Sequence, residues 1–343
     1  AGLDVELMGL SAERLPASDA SFDTVVCTYT LCTIPDPVAA LAEMKRVLVR
    51  HMTESQSLRL MLERGDLDLA YGMAAPDIKA IERSDALQVQ ALQRGTMYYV
   101  AMSMKQPEFA KQQVREAVRN LIDYKGLDEQ VMPYYGKLNQ QPMQLGLEAR
   151  LPDPGYHMDV AKAKQLLAEA GYPNGFNTTI RTLSEPPFID IAARLQATLA
   201  EGGIKASIVN GTGNQVYGAM RARNFDIIVA RGAERYPHPY FSLRTFAYNP
   251  NNSDDAGLPN FQGWRASFFN PQLNSLIDQA GVTRDAAQRV SLYHQAQTLY
   301  DQQVGPILMI SQMTDTVVSA ADVKGFSGDD AEATRYLGVY KQR

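Results

Sequence analysis

The sequence predicts a mixed α/β protein built from more than one lobe. Three observations carry that reading. A chain of 343 residues exceeds what one hydrophobic core usually supports. Its 45% hydrophobic and 21% charged residues are the proportions of an ordinary globular protein, which excludes wholesale disorder and fibrous repeats. Helix-period text then alternates with strand-period text along most of the chain.

From the amino terminus, Phe22 to Thr28 is a β-branched run of the kind found in a strand covered on both faces. Asp36-Pro37 then opens a helix that turns Val38, Leu41, Met44 and Leu48 inward. Thr53 to Leu62 reads as a helix stopped by Gly65, and Asp66 to Ala70 as a short strand. Met97 to Leu127 contains a helix that buries Val114, Ala117, Val118, Leu121 and Ile122.

Asp159 to Phe176 is the most informative stretch. Asp159 caps a helix whose Val160, Ala163, Leu166, Leu167 and Ala170 share one face. Gly171 stops it, Pro173 forbids its resumption, and Asn174-Gly175 turns the chain into an alternating strand over Phe176–Ile180. A helix from Ile189 to Ala200, a strand from Ile204 to Val209 and another at Phe225 to Ala230 follow. Residues 231 to 269, rich in Pro, Asn, aromatics and Arg, read as a long irregular segment of the kind that carries function. Asn270-Pro271 caps a helix carrying Leu273, Leu276 and Ile277, Arg284 to Gln302 forms another, and Ile307–Ile310 is a returning strand.

Charge and composition narrow the function. A net charge of −5 without a long Lys/Arg run gives no footprint for nucleic acid or an anionic membrane surface. No apolar run approaches the roughly 20 residues that cross a bilayer, and no basic start followed by an apolar segment marks a signal peptide. The two cysteines, Cys27 and Cys32, both lie in the first fifty residues and read as core residues, and their absence from the remaining 293 positions points to parts of different compartmental origin. His51, His157, His238 and His294 are scattered without ligand spacing, and no nucleophile stands beside a base in a motif, so neither metal, cofactor nor catalytic chemistry is expected.

Two resemblances add to this. The wording from Ala163 to Phe176, Ala-Lys-x-Leu-Leu-x-Glu-Ala-Gly-Tyr-Pro-x-Gly-Phe, resembles the signature of the extracytoplasmic solute-binding proteins of peptide, nickel and oligosaccharide ABC importers, and the likeness runs from about 54 to 340. Ala12 to Leu48 resembles the middle of class I S-adenosylmethionine-dependent methyltransferases. Together they imply an α/β, periplasmic-binding-protein-like two-lobed fold of type II with a truncated first lobe, preceded by a short Rossmann-like methyltransferase fragment. The implied parts are 1–52, a methyltransferase-like fragment and junction; 53–100, a remnant of lobe I; 101–305, lobe II; and 306–343, the return to lobe I. A methyltransferase needs a glycine-rich turn and an acidic ribose-binding residue upstream, and neither precedes Ala1. His51-Met52, which a common cloning site also encodes, marks the switch between the two texts and suggests an artificial join there.

The solute-binding resemblance implies a periplasmic, monomeric receptor that captures a peptide-like, oligosaccharide or anionic solute between its lobes and delivers it to an ABC permease, without chemistry. A methyltransferase-derived chain and an inactive chimera are the alternatives. Peptide-binding members place an acidic residue in a Trp-x-x-Asp-x-x-Asp-Pro pattern to hold the ligand's amino group. The matching text is Gly232 to Pro239, where Arg235 takes the acidic position and His238 the second, with Glu234 available if the register slips by one. Arg235 suits a carboxylate, phosphate or sugar hydroxyl pair better than an ammonium. Trp264, the only tryptophan, reads either as a stacking face beside Arg265 or as a loop anchor. Tyr236, Tyr240 and Tyr248 divide between packing and ligand contact, Tyr71 is a candidate from the first lobe, and Arg231 and Arg244 read equally as solvated.

Overall fold

The computed structural model describes residues 4–6, 46–50, 52, 54–232, 236–328, 334–335 and 339–342. The expected strand at 22–28, both cysteines and the start of the first helix lie outside these. The end of that helix is corrected: Arg46–Leu48 (β2) is a strand, paired in parallel with Asp4–Glu6 (β1). Pairing satisfies backbone groups that the last turn of a helix leaves open.

The chain divides into two compact units, residues 1–94 with 314–343, and residues 95–313. The division falls inside two long strands, Leu87–Met102 (β4) and Ile307–Ala320 (β9), so each contributes to both units.

In the first unit Ser55–Arg64 forms helix α1, which turns Leu58 and Leu62 inward and ends at Gly65 with φ 77. The short strand is Leu69–Tyr71 (β3), and it pairs antiparallel with Val317–Ser319 of β9. It starts three residues later than expected, after a bend in which the Asp66 N–H bonds the Met61 carbonyl; Asp68 is buried and pairs with Lys341. Leu69, Leu92 and Val317 make a small apolar cluster, against which Tyr71 and Phe326 pack.

The 95–313 unit is built on a sheet against which helices pack. Its strands run in the order β9, β4, β8 (Ile227–Gly232), β6 (Asn177–Leu183), β7 (Lys205–Gly211), with the three-residue β5 (Gly136–Leu138) pairing β9. β6, β7 and β8 are mutually parallel, and β4 is antiparallel to β8. The two central strands explain their own sequences: Met97–Met102 and Ile227–Ala230 are buried throughout, as runs covered on both faces must be. β7, at the edge, alternates exposed with half-buried residues.

Each helix here forms where its cap and stripe place it. The crossover helix α2 covers Gln112–Arg119; it ends before Leu121 and Ile122, which are buried from the turn that follows rather than from the helix. Helix α3 (Val160–Glu169) begins where the Asp159 carboxylate accepts the Lys162 N–H at 2.9 Å. Gly171 and Gly175 both have positive φ, and a Cβ on Gly175 would collide with the Gly203 carbonyl, which is why a glycine opens the next strand. Helices α4 (Phe188–Glu201) and α5 (Gly213–Arg221) follow β6 and β7 and complete the βαβ units.

The 231–269 stretch is the second correction. It contains a helix, α6 (Pro239–Phe246), a 3₁₀ turn at Asp254–Ala256 and a short helix at Gln262–Arg265. Pro239 reads as a breaker along the sequence, yet it stands at the first helical position, where proline fits. With helices α7 (Pro271–Val282) and α8 (Ala286–Gln302), this stretch encloses a second apolar cluster that includes Leu243, Tyr248, Leu273, Ile277 and Tyr293.

Candidate functional site

The parallel strands of the 95–313 unit have their carboxyl ends at Leu183, Gly211 and Gly232. Open α/β sheets bind ligands at such ends. Arg231 lies at the tip of β8, level with Tyr98 of β4. Its backbone is held on both sides by Tyr217 of α5, whose hydroxyl donates to the Arg231 carbonyl at 3.2 Å and accepts its N–H at 3.3 Å. The guanidinium stacks 5.6 Å from the Phe188 ring at the start of α4, and Nη1 approaches the Met313 sulfur at 3.9 Å. Burial pushes the Tyr217 hydroxyl pKa up, against the opposing pull of its hydrogen bond to Arg231 and that residue's charge.

Gly232 is closed to any side chain. A Cβ there would collide with Gln262 Nε2 and stand 3.1 Å from Phe246. Gln262 is 4% exposed, and its Oε1 has no hydrogen-bond partner among the described residues.

Beyond Gly232 the chain presents aromatics. Tyr236 is 61% exposed and its ring lies 5.6 Å from that of Phe241, itself exposed. His238 caps α6, its Nδ1 accepting the Tyr240 N–H at 3.2 Å, so the ring is the Nε2–H tautomer when neutral; it also stands edge-on to Phe241. Arg235, with Ala233 and Glu234, lies outside the described residues.

Arg244, far from being solvated, is sandwiched against Tyr240, Tyr248 and Phe261, 4.6 Å from the Tyr248 ring, and bonds the Tyr240 hydroxyl. Tyr248 donates to Asp278 at 2.8 Å, and burial with that bond pushes its pKa up to about 12. Trp264 fills the packing role: it is 4% exposed, its Nε1 donates to the Ser253 carbonyl at 2.9 Å, and Arg223 covers its ring at 4.7 Å. Arg265 beside it donates from Nε to the Pro259 carbonyl at 2.6 Å, and burial, with the charge of Arg221 adding, lowers its pKa. Tyr71 belongs to the other unit, edge-on to Phe326.

Two residues matter more than their sequence context suggests. Arg223, in the left-handed region at φ 56, binds Asn252, Asp254 and Ser267 and so fastens the 249–268 stretch. Its partners stand 29 to 44 positions away, and nothing local signals them. Arg231 carried a signal, since an arginine ends an otherwise apolar strand run.

A separate cavity of about 20 Å³, bordered by Arg119, Tyr124, Tyr156 and Asp301, has room for one water molecule. Among the described residues no cluster of His, Cys, Asp or Glu could hold a metal ion, and no helix is long and apolar enough to cross a membrane.

Comparison with known proteins meets this geometry. The family model for bacterial extracellular solute-binding proteins, family 5 (middle), matches residues 38–254, and the chain belongs to that family. A methyltransferase-domain model matches residues 1–51. The glutathione-binding protein GsiB of Pectobacterium atrosepticum is 24% identical over 271 residues, 76% of this chain and 50% of that protein. The probable D,D-dipeptide-binding periplasmic protein DdpA of Escherichia coli is 24% identical over 285 residues, 82% of this chain and 53% of that protein. Among solved structures, the periplasmic binding protein DppA of Helicobacter pylori in complex with peptide STSA superimposes with a TM-score of 0.74 at 22% identity, covering 88% of this chain and 58% of that one. HbpA2 from Haemophilus parasuis does so with 0.73 at 23%, covering 88% and 59%. These likenesses establish a periplasmic-binding-protein-like α/β fold. The chain spans about half the length of the curated relatives it matches.

Proposed function

We propose that the chain is the solute-capturing component of an ABC importer, working outside the cytoplasm as a monomer that hands its cargo unaltered to a membrane permease. The observation that carries this is family membership across residues 38–254, the stretch that includes the strand ends described above. Relatives are named for glutathione, D,D-dipeptides and short peptides, which supports a small peptide-like solute. The proposed ligand-contacting residues of the 95–313 unit are Arg231, Arg235, Tyr236 and His238. Trp264 and Arg265 act behind them, as supports of the stretch that carries them.

Calorimetric titration of the full chain with glutathione, Met-Leu and peptide STSA tests the reading. Saturable binding of at least one is expected; none of the three binding at millimolar concentration would remove it. The match at residues 1–51 favours a second reading, a methyltransferase-derived chain. Titration with S-adenosylmethionine separates the two, and we expect no heat of binding. Sequencing the source gene across the join near residue 52 tests the chimeric origin, which an uninterrupted natural reading frame in related genomes would exclude.

A further inference from the structure

We propose that Arg231 is a specificity residue that selects solutes bearing a carboxylate; the proposal rests on the solute-capture reading above. Among the described residues no Asp or Glu lies within ion-pair distance of its guanidinium. Glu185, whose charge reaches the Tyr217 hydroxyl, makes no ion pair with Arg231. Five other arginines of the unit differ. Arg119, Arg150, Arg194 and Arg223 each meet an Asp, and the carboxylate-free Arg115 donates four hydrogen bonds to backbone carbonyls. Arg231 alone of these six has only an aromatic face and a thioether beside its charge among the described residues.

That is an incomplete environment for a half-buried cation, and it is also an oriented one. Tyr217 pins the backbone on both sides, and Phe188 is 1% exposed, so the ring under the guanidinium is fixed. A planar fork backed by a ring, with no counter-ion among the described residues, is shaped for bidentate bonding to a carboxylate. The ring also removes water from one face, which strengthens the pairing. The position agrees with the general rule for ligand binding outside the carboxyl ends of parallel strands.

The test uses the full chain and matched probes: Met-Leu with a free carboxyl terminus and Met-Leu amide, glutathione and its diamide. Free acids are expected to bind at least about tenfold more tightly than the amides, a loss of about 1.4 kcal/mol on amidation. In Arg231→Gln the preference is expected to fall below about twofold, while Arg231→Lys keeps part of it, since a point charge replaces the fork. A thermal melt reports whether each variant folds, and the acid-to-amide ratio of the unmodified protein needs no variant. Equal binding of acids and amides, or an acid preference that survives intact in a folded Arg231→Gln, overturns the role of Arg231 and leaves capture standing. Absence of binding by every probe overturns capture and this proposal with it.

Discussion

At the scale of single residues, arginines do much of the organising. Arg223 joins Asp254, Asn252 and Ser267 and lies over Trp264, so one side chain just past the end of α5 fastens a segment that has little regular structure of its own. Lys105 binds Asp254 from the other side at 2.7 Å, and that bond first, then Arg223, holds the Asp254 carboxyl below its usual pKa. Replacing Arg223 with Met is expected to cost about 1–3 kcal/mol, by loss of its charged hydrogen bonds and of the partner of the buried Ser267 hydroxyl. Urea unfolding followed through the emission of Trp264 measures it; a loss under about 0.5 kcal/mol would mean the stretch is held by something else. A second residue prediction concerns acid. The Asp123 carboxylate accepts from Gly126 N–H at 2.9 Å and from Arg194, and these bonds outweigh desolvation and lower its pKa. A carboxyl with a depressed folded pKa stabilises the protein above its unfolded value of about 3.9, and that contribution disappears as pH falls through the folded value. Asp123→Asn should therefore be less stable than the parent at pH 7, with the difference shrinking below about pH 4. A difference that stays constant from pH 7 to pH 3 would contradict the assignment.

At the scale of elements, local chemistry decides where helices and strands stop. The Asp159 and Asn270 side chains cap α3 and α7 by the same bond to the third residue on. Either one changed to Ala should lose about 1 kcal/mol in denaturant melts. Gly175→Ala should lose more than about 2 kcal/mol, because positive φ and the Gly203 carbonyl both oppose a Cβ. A near-neutral Gly175→Ala would show that the β6 entrance is looser than this geometry implies. These elements were legible because their signals are local: Asp159, Gly171, Pro173 and Gly175 each act within a few positions. The 231–269 stretch was not, because α6 is held by contacts from elsewhere, Arg244 against Phe261 and Tyr248 against Asp278. Proline content describes where a helix cannot continue and says nothing about where tertiary contacts start one. The helix expected to end at Leu48 failed for a related reason, since strand pairing with Asp4–Glu6 competes for the same backbone groups.

At the scale of the molecule, the 95–313 unit has the central sheet, both large apolar clusters and the strand ends at which capture is proposed. Its fold was readable from the helix-to-strand wording at Asp159–Phe176, and family membership follows from a match across residues 38–254. The candidate site was less legible. Tyr236 and His238 stand together at the exposed start of α6, whereas Trp264 is buried and Arg231, equally readable as solvated, lies at the strand tip. A sequence shows residue types along a line, and which of two aromatics faces solvent depends on partners such as Ser253 and Arg223 that the line does not bring together. The most direct measurement on the central claim is equilibrium dialysis of the intact chain against Met-Leu and glutathione, followed by mass spectrometry of the solute recovered after the protein is denatured. Retention of one solute in a ratio approaching one per chain, recovered with its mass unchanged, is the expected result. A solute recovered hydrolysed, methylated or otherwise altered, or no retention of either, would contradict capture without chemistry.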